Sequence, residues 1–327
     1  MANTINYAEQ WREELLTIEI QGTLTSPFIT DNVKWIGAKT FHFTSLATSG
    51  FKNHSRSGGW NAGDITETDH PYTLAHDRDI EFLIDKLDVD ESNQTASIEK
   101  VARTFVQTQS VPEIDARFYE RVSEAAINAS KAAAKALNTY TAATIIADIK
   151  GVINQVRRYR DSLIIYLRYE LMELLEEALA GKAQIQWTQV SDLEFSVETR
   201  VAYIDGVPIF EVIDTNRFVT KVDYDPVVNN VHVGGFAKSS AAVASTDPGY
   251  ATASAWAKLA GKDINILAVS TKTTITVPKV ISIYSFAPGE HTKGDGYLYQ
   301  HREAWDTFVF PNGATGAVDS VYIQYVN

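Results

Sequence analysis

Residues 38–85 constrain the fold most, because they predict two extended arms around a polar, glycine-rich tip. In the first arm Phe41 and Phe43 share one face and alternate with polar residues, which is the period of a strand. The second arm, residues 72–84, alternates less cleanly. The tip, residues 49–69, is longer than an ordinary hairpin loop, and a loop of that length is usually functional or disordered. A two-stranded hairpin is only marginally stable in water, so this ribbon must lie against its own chain or against another copy.

Charge and cysteine usage exclude several kinds of function. The 327 residues contain no cysteine, which excludes disulfides, thiol catalysis and cysteine metal sites. The net charge is −12, whereas a protein that reads nucleic acid is expected to carry a basic patch. The densest basic cluster is Arg157, Arg158 and Arg160, next to an aspartate. A solvated helix end or a subunit contact is favoured there over phosphate binding.

No targeting or membrane segment is predicted. The N-terminus carries charges where a signal peptide needs an apolar core. No apolar run approaches the ~20 residues of a membrane span. We therefore expect a soluble protein that stays where it is made, unless it leaves within an assembly.

The N-terminal half of the chain predicts helices on both sides of the ribbon. Residues 1–33 predict an arm with a short amphipathic helix, whose apolar face covers either its own domain or a neighbour. Apolar spacing predicts a helix from Ile98, a break at Val111-Pro112, and then a thin helix to about Ala136. That second helix would be roughly 36 Å long at 1.5 Å per residue.

The C-terminal half predicts an α/β unit followed by strands. A buried strand at residues 162–167 lies between two amphipathic helices, which is an α/β unit. Further on, Asp205-Gly206 between apolar runs predicts a tight hairpin. Residues 225–262 are rich in small residues and predict a surface loop or insertion with a short helix near residues 251–259. Strands are predicted at residues 264–270, 273–286, 297–310 and 318–326.

No group of residues predicts catalysis, a metal site or a cofactor. His70 and His76 are about 20 Å apart in an extended arm, so they could not share an ion with Asp77 and Asp79 without a sharp turn. An EF-hand loop starting at Asp88 would need glycine at its sixth position, which is asparagine here. Nucleotide-binding glycine motifs and a nucleophile elbow are also missing. We therefore expect a protein that is not an enzyme.

Six stretches mark the predicted elements in order along the chain: NYAEQW, GGW, HDRDIEFLIDKLDVDE, PEIDARF, IDGVPIFEVID and FAPGEHTKGDGYLYQHREAWDTFVFPNG. With these stretches and this order of elements the chain resembles the major capsid proteins of tailed bacteriophages, which have the Hong Kong 97-like fold. More narrowly, it is similar to the group found in phages of Gram-positive bacteria. The stretches are spread over most of the chain, and their combination is specific although each alone is weak.

The resemblance implies an α+β fold whose parts follow one another along the chain. These parts are an N-terminal arm (1–37), an extended hairpin loop (38–85), a peripheral domain with a long spine helix (86–141), an α/β axial domain (142–290) and a C-terminal return through both domains (291–327). Residues 225–262 do not match the family well, and we expect an axial-domain loop or an insertion there.

The resemblance also implies a function, a location and partners. Copies would form pentamers and hexamers that close into an icosahedral shell around double-stranded DNA, in a virion made in the host's bacterial cytoplasm. The chain lacks the long helical scaffolding segment of some relatives, so a separate scaffolding protein is expected, together with a portal protein. Neither a membrane nor sequence-specific DNA binding is expected.

Eight residues are candidates for contacts between subunits. They lie in the arm, in the tip and in the basic cluster: Tyr7, Trp11, Phe51, Lys52, Arg56, Trp60, Arg157 and Arg158. Some relatives cross-link a loop lysine to a neighbour's asparagine, and Lys52 is the residue that could do so, although no partner or catalytic acid is visible. The alternatives are an encapsulin-type compartment, an α/β hydrolase and a cell-surface sugar-binding module that uses Phe51 and Trp60.

Overall fold

The computed structural model describes residues 22–30, 33, 35, 37, 39–54, 58, 60–91, 98–179, 185–188, 199–313 and 315–327. The α-helices of this part of the chain are α1 (Lys86–Glu91), α2 (Ile98–Phe105), α3 (Val111–Asn128), α4 (Ile145–Gln155) and α5 (Tyr169–Leu179). Its strands are β1 (Thr40–Thr48), β2 (Ile65–Thr73), β3 (Asp77–Asp85), β4 (Ala132–Ala134), β5 (Leu163–Arg168), β6 (Ile185–Thr188), β7 (Thr199–Ile204), β8 (Val207–Val212), β9 (Val222–Asp223), β10 (Val227–Val228), β11 (Val231–His232), β12 (Ala237–Lys238), β13 (Ile264–Ser270), β14 (Thr274–Phe286), β15 (Gly296–Val309) and β16 (Val321–Tyr325).

A mixed seven-stranded sheet in the order β4-β16-β13-β5-β8-β7-β6 forms the larger half of the fold. Strand β5 is buried on both faces, because Ile165 packs in a cluster with α4 and α5 whereas Ile164 and Tyr166 pack in a cluster with α3. A continuous apolar run is what such a central strand requires. The predicted helix, buried strand and helix are therefore confirmed.

A three-stranded antiparallel sheet in the order β14-β15-β3 forms the smaller half. Helix α3 contacts both β15 of this sheet and β16 of the larger one, so it joins the two halves. Strand β14 pairs with β15 from Thr274↔Val309 to Phe286↔Leu298. The expected boundary at residue 290 therefore does not coincide with a change of sheet.

The ribbon is a hairpin of β1 and β2, paired from Thr40↔Thr73 to Thr48↔Ile65. The prediction of one continuous strand for the second arm was wrong, because its residues are divided between two sheets. Strand β2 ends at Thr73, and β3 pairs with β15 in the three-stranded sheet. Between them Leu74 and His76 are buried, so the chain turns inward there and leaves the hairpin.

The spine helix is shorter than its apolar stripe predicted. Helix α3 has 18 residues, which is about 27 Å, and it ends at Asn128. The turn that follows places Ser130 at φ 58°, and the alanines that were expected to continue the helix pair with β16 as the parallel edge strand β4. Tertiary pairing overrides the helix propensity of alanine here. The break expected at Val111-Pro112 is replaced by a π-helical turn, Val106–Ser110, that joins α2 to α3.

The segment after β8 contains turns and short strand pairs. The helix predicted near residues 251–259 was wrong, because that stretch forms successive turns. Trp256 fixes it by donating from its ring nitrogen to the carbonyl of Thr220 at 2.8 Å, and from its backbone N–H to the side-chain oxygen of Asn128 at 3.0 Å. The predicted hairpin at Asp205-Gly206 is confirmed, with φ of 53° and 79° at the two turn residues.

Candidate inter-subunit surfaces

The base of the hairpin is anchored on its own chain by aromatic side chains. Phe41 is fully buried and packs with Val277 and Phe308. The ring centroids of Phe41 and Phe308 are 4.9 Å apart, and those of Phe43 and Phe310 are 4.4 Å apart. Edge-to-face aromatic pairs add to the stabilisation that burial gives. The same chain therefore supports the first third of the ribbon.

The distal part of the hairpin has no such support within the described residues. Phe51 and Trp60 are exposed to 111% and 99%, and Leu46 and Ile65 to 64% and 73%. Contiguous exposed apolar side chains commonly mark a surface that contacts another molecule. The distal hairpin is therefore the strongest candidate for a subunit contact.

The tip loop has its own hydrogen bonds, although its aromatic side chains project outward. The backbone N–H of Ser49 donates to the carbonyl of Asp64 at 2.9 Å and closes the end of the ladder. Lys52 Nζ donates to the carbonyl of Ala62, and Asn61 Nδ2 to that of Asn53, each at 2.9 Å. These hydrogen bonds cross the loop, so the loop that carries Phe51 and Trp60 has a defined conformation.

The structure brings together only some of the residues predicted from the sequence. Phe51, Lys52 and Trp60 share the tip, whereas Arg157 and Arg158 lie on the helical turn between α4 and β5. Arg158 Nη1 donates to Asp319 at 3.1 Å, and Arg157 is exposed. Tyr7, Trp11 and Arg56 lie outside the described residues.

Charged residues that sequence reasoning had not singled out form a helix–sheet junction, defined here as Asp115, Arg117, Arg121, Arg217 and Asp306. Asp306 on β15 is fully buried and accepts hydrogen bonds from Arg117 and Arg121 on α3, at 3.0 to 3.2 Å. Burial alone would raise the pKa of Asp306, but the hydrogen bonds and charges of Arg121 and Arg117 outweigh it and lower the pKa to about 2. Asp306 therefore remains ionised and ties helix to sheet.

Asp115, at the other end of the junction, holds the start of the described chain. Its carboxylate is fully buried and accepts from the hydroxyls of Thr23 and Thr25 at 2.8 and 2.7 Å, and from the N–H of Leu24 at 3.1 Å. Arg217, only 1% exposed, donates to the same carboxylate at 3.0 Å. A buried carboxylate needs such partners, so Asp115 fixes where the arm meets α3.

A second charged contact surrounds the π-helical turn. Glu113 accepts from His76 Nε2 and forms an ion pair with Arg78 Nε, both at 2.9 Å. The hydroxyl of Ser110 donates to Glu303 at 2.8 Å. Arg78, Ser110, Glu113 and Glu303 line a cavity of about 390 Å³. These four side chains join the helical segment to β3 and β15.

The sequence contained a signal for the junction and this second contact. Most of their residues fall in HDRD, PEIDAR and HREAWD, whose charged residues were not predicted to form ion pairs. Charged residues on a helix face that is otherwise apolar are expected to be paired when buried, so the pattern in PEIDAR could have predicted ion pairs. The partners could not be predicted, because they lie far away in the sequence.

The described residues contain neither a metal-binding cluster nor a membrane-spanning helix. No three of their histidine, aspartate or glutamate side chains lie close enough together to hold a metal ion. Among the helices described, none is both long enough and apolar enough to cross a membrane.

Comparisons with known proteins find a likeness in structure but not in sequence. No protein-family model and no curated protein matches the chain. The capsid of cyanophage P-SCSP1u matches with a TM-score of 0.63 and 11% identity, over 98% of this chain and 93% of that chain. The mature capsid of bacteriophage PhiM1 gives 0.59 and 10%, over 98% and 92%. A structure of Mycobacterium phage Che8 gives 0.55 and 14%, over 99% and 98%.

These matches define the class of fold. The chain has, over nearly its whole length, the mixed α+β fold of bacteriophage capsid structures, and the resemblance inferred from the sequence is confirmed. The mycobacterial phage accords with the expected Gram-positive group, but the cyanophage capsid has the higher TM-score of the three. Because the sequence identities are only 10–14%, these matches establish the fold and not the function.

Proposed function

We propose that the chain is the major capsid protein of a tailed bacteriophage. Its copies assemble as pentamers and hexamers into an icosahedral shell that encloses double-stranded DNA. The observation that carries the proposal is the likeness to a phage capsid over 98% of this chain and 93% of the other. A fold alone does not determine a function. The exposed apolar hairpin also supports the proposal, because it gives the subunit a surface that another copy could cover.

The role is structural rather than catalytic. Under the proposal α3 and the three-stranded sheet form the peripheral region, and the seven-stranded sheet with α4 and α5 forms the axial region. Phe51, Lys52 and Trp60 would contact a neighbouring copy, as would Arg56, Arg157 and Arg158, and Tyr7 and Trp11 of the arm. A separate scaffolding protein and a portal protein are proposed as assembly partners, and the DNA is held without sequence-specific contacts.

Electron microscopy of the purified chain tests the proposal directly. We expect rings or closed shells after negative staining. A chain that stays monomeric under all assembly conditions, with and without a co-expressed scaffolding protein, would refute the proposal. Nucleic acid inside particles from infected cells distinguishes a phage shell from an encapsulin-type compartment, which would hold cargo protein.

A shortened hairpin tests whether the ribbon links copies. Ser49 and Asp64 are already hydrogen-bonded, so residues 50–63 can be replaced by an Asn-Gly turn that keeps β1 and β2 paired. We expect a folded subunit that fails to close shells. Normal shells from this variant would mean that the tip is dispensable.

Monomer bands on a denaturing gel of assembled shells would exclude a covalent link through Lys52.

A further inference from the structure

The cavity of about 390 Å³ beside the π-helical turn is enclosed by four segments of the chain. Its walls come from the end of α2 with the π-helical turn, from β3, from β15, and from residues 233–235 after β11. Gly234 and Gly235 have φ of 71° and 68°, and a side chain at Gly235 would meet Gln109 Oε1 at 3.1 Å. These glycines therefore allow the backbone to close the cavity, whose size is typical of small-ligand sites.

Part of the cavity wall is apolar. It contains Phe82 and Phe105, whose ring centroids are 5.6 Å apart, and Ile80. Val233 also lines the cavity and is 56% exposed, so it stands where the cavity opens to solvent. Aromatic rings attract cations as well as apolar groups. This wall therefore suits the hydrocarbon body of a small ligand.

Two carboxylates in the wall each have one oxygen without a partner. Glu113 uses Oε1 for both of its contacts, with His76 and with Arg78. Glu303 uses Oε1 to accept from the hydroxyl of Ser110. No described residue contacts Oε2 of either side chain, although their side chains are only 12% and 19% exposed. A carboxylate oxygen that is largely removed from water needs a donor, which a ligand in the cavity can supply.

A third polar group in the wall also lacks a hydrogen bond. His301 is only 4% exposed, and its Nδ1 is 3.2 Å from the hydroxyl of Tyr299. Its Nε2 lies 2.8 Å from Glu303 Oε1, but at an angle too far from linear for a hydrogen bond, and it has no other partner among the described residues. Buried polar groups without a partner are rare in proteins, and bound molecules commonly satisfy them. The cavity thus combines an apolar wall with unsatisfied polar atoms.

The charges around the cavity select the class of ligand. Glu113 and Glu303 are both acidic, and the cation that faces them, Arg78, already has partners for its nitrogens. Its Nε pairs with Glu113, its Nη1 donates to the carbonyl of Tyr224, and its Nη2 donates to the carbonyl of Gly235 at 3.3 Å. The two carboxylates repel an anion, whereas an ammonium group donates strong hydrogen bonds to their free oxygens. The lining therefore favours a cation.

We propose that this cavity binds a small organic cation, in which an ammonium group is carried on an aromatic or aliphatic body. The ammonium donates to Oε2 of Glu113 and of Glu303, and the body packs on Phe82 and Phe105. The bound cation touches α2, β3 and β15 together, so it fixes α2 on the three-stranded sheet. The inference goes beyond the proposed function and does not depend on assembly. The same chemistry is present in a free amine and in a lysine side chain of another copy.

Two ligands of matched shape test the preference for a cation. Isothermal titration calorimetry of the purified full chain compares 2-phenylethylamine, which is a cation at pH 7, with uncharged 2-phenylethanol. We expect the amine to bind at a single site and about tenfold or more tightly than the alcohol, because hydrogen bonds to charged groups are the stronger ones. Equal affinities, or no binding of the amine, would overturn the proposal.

Two substitutions test the location of the site. Glu303→Gln removes one charge but keeps an oxygen that can accept from Ser110, and Val233→Trp fills the opening from an exposed position. Each should weaken binding of the amine about tenfold or more. Glu177→Gln and Val228→Trp are the matched controls at exposed positions that do not line the cavity, and they should bind as wild type does. Wild-type affinity in either test variant, shown to be folded by its melting temperature, would overturn the proposal.

Assembled shells distinguish the two sources of the ammonium group. Binding of 2-phenylethylamine to shells as tightly as to the isolated subunit supports a free amine. Loss of binding in shells, together with carbodiimide coupling of a neighbour's lysine to Glu113 or Glu303, supports a lysine of another copy. Loss without such coupling would overturn the proposal for the assembled protein. A chain that forms no shells would refute the proposed function, and the measurements on the subunit would still decide this inference.

Discussion

The core of the seven-stranded sheet and the helix–sheet junction are both buried, but different forces hold them together. On the α4 face of the sheet the buried cluster consists mainly of aliphatic side chains and includes Ile165, Leu167 and Val207. In the junction Asp115 and Asp306 are 0% exposed. Apolar packing depends on volume and little on direction, whereas a buried ion pair needs its partners in fixed geometry and is costly to break.

The two regions therefore contribute differently to the fold. The packing of the apolar cluster provides stability that does not depend on pH, because its side chains carry no charge. The junction instead specifies position, since Asp115 holds residues 23–25 and Asp306 holds α3 on β15. Under the proposed function the projecting segments must lie at defined places, and directional charged contacts can hold them there. Four changes test whether the two regions differ in this way.

The largest loss of stability is expected from Asp115→Ala. The substitution leaves Arg217 buried without this partner and removes the acceptor for Thr23, Leu24 and Thr25. Breaking a buried pair from one side costs about 3–5 kcal/mol. Denaturant unfolding of the purified subunit measures the loss. Glu177→Ala, at an exposed position on α5, is the control and should stay within about 0.5 kcal/mol of wild type. An equally small effect of Asp115→Ala would show that the junction does not position the arm.

A smaller effect is expected on acidification, through Asp306. The pKa of Asp306 is lowered in the folded state to about 2, below its ordinary value of 3.8. Its ionised form therefore stabilises the fold above about pH 4, and this contribution of about 2 kcal/mol is lost as the pH falls towards 2. Unfolding free energies of wild type and Asp306→Asn measured from pH 5 to pH 2 should converge by that amount. Parallel pH curves would contradict the assignment.

In the apolar core the expected loss is smaller still and does not change with pH. Ile165→Val removes one buried methylene between β5 and the helices α4 and α5, which costs about 1 kcal/mol. Unfolding at pH 7 and at pH 4 should give the same difference from wild type. A difference that varied with pH would mean that the core and the junction are energetically coupled.

The smallest change in subunit stability is expected at the hairpin tip. Phe51→Ala with Trp60→Ala should change the free energy of unfolding by no more than about 0.5 kcal/mol, because both side chains are fully exposed. Shell formation, followed by light scattering, should nevertheless fail. Tyr203→Ala, at an exposed aromatic on β7, is the control that should still assemble. A destabilised subunit would show that the tip packs on its own chain.

Local patterns predicted several elements correctly. The apolar run of β5 and the helical spacing of α4 and α5 predicted their types, because periodicity reports which face is buried. Asp205-Gly206 predicted its tight turn because these residues adopt the positive φ that the turn requires. The tip, residues 49–69, was predicted as a loop because it has few aliphatic residues to bury. The described residues from 49 to 64 confirm this, whereas residues 65–69 belong to β2.

Three predictions failed where distant segments decided the structure. The alanines after Asn128 favour a helix by themselves, but β16 pairs with them as a strand. The second arm divided because β3 pairs with β15, more than two hundred residues away. The turns near Trp256 have helix-forming residues and are fixed instead by contacts to Thr220 and Asn128.

The candidate surfaces show the same limit. Exposed aromatics at the tip could be predicted, because a polar loop cannot bury them. The role of Asp115 could not, because Arg217 lies 102 residues further along the chain. Likewise the open edge of β14 is visible only when the sheet order shows which strands lie at an end.

The amino-acid sequence predicted the type of most strands and helices, that the ribbon needs a partner, and that the chain resembles capsid proteins. These properties depend on neighbouring residues, whose spacing decides which face of a segment avoids water. The folded structure was needed to show where the ribbon ends, how α3 is held, and which edges stay open. Those properties depend on pairs of residues far apart in the sequence, whose contacts no local pattern specifies.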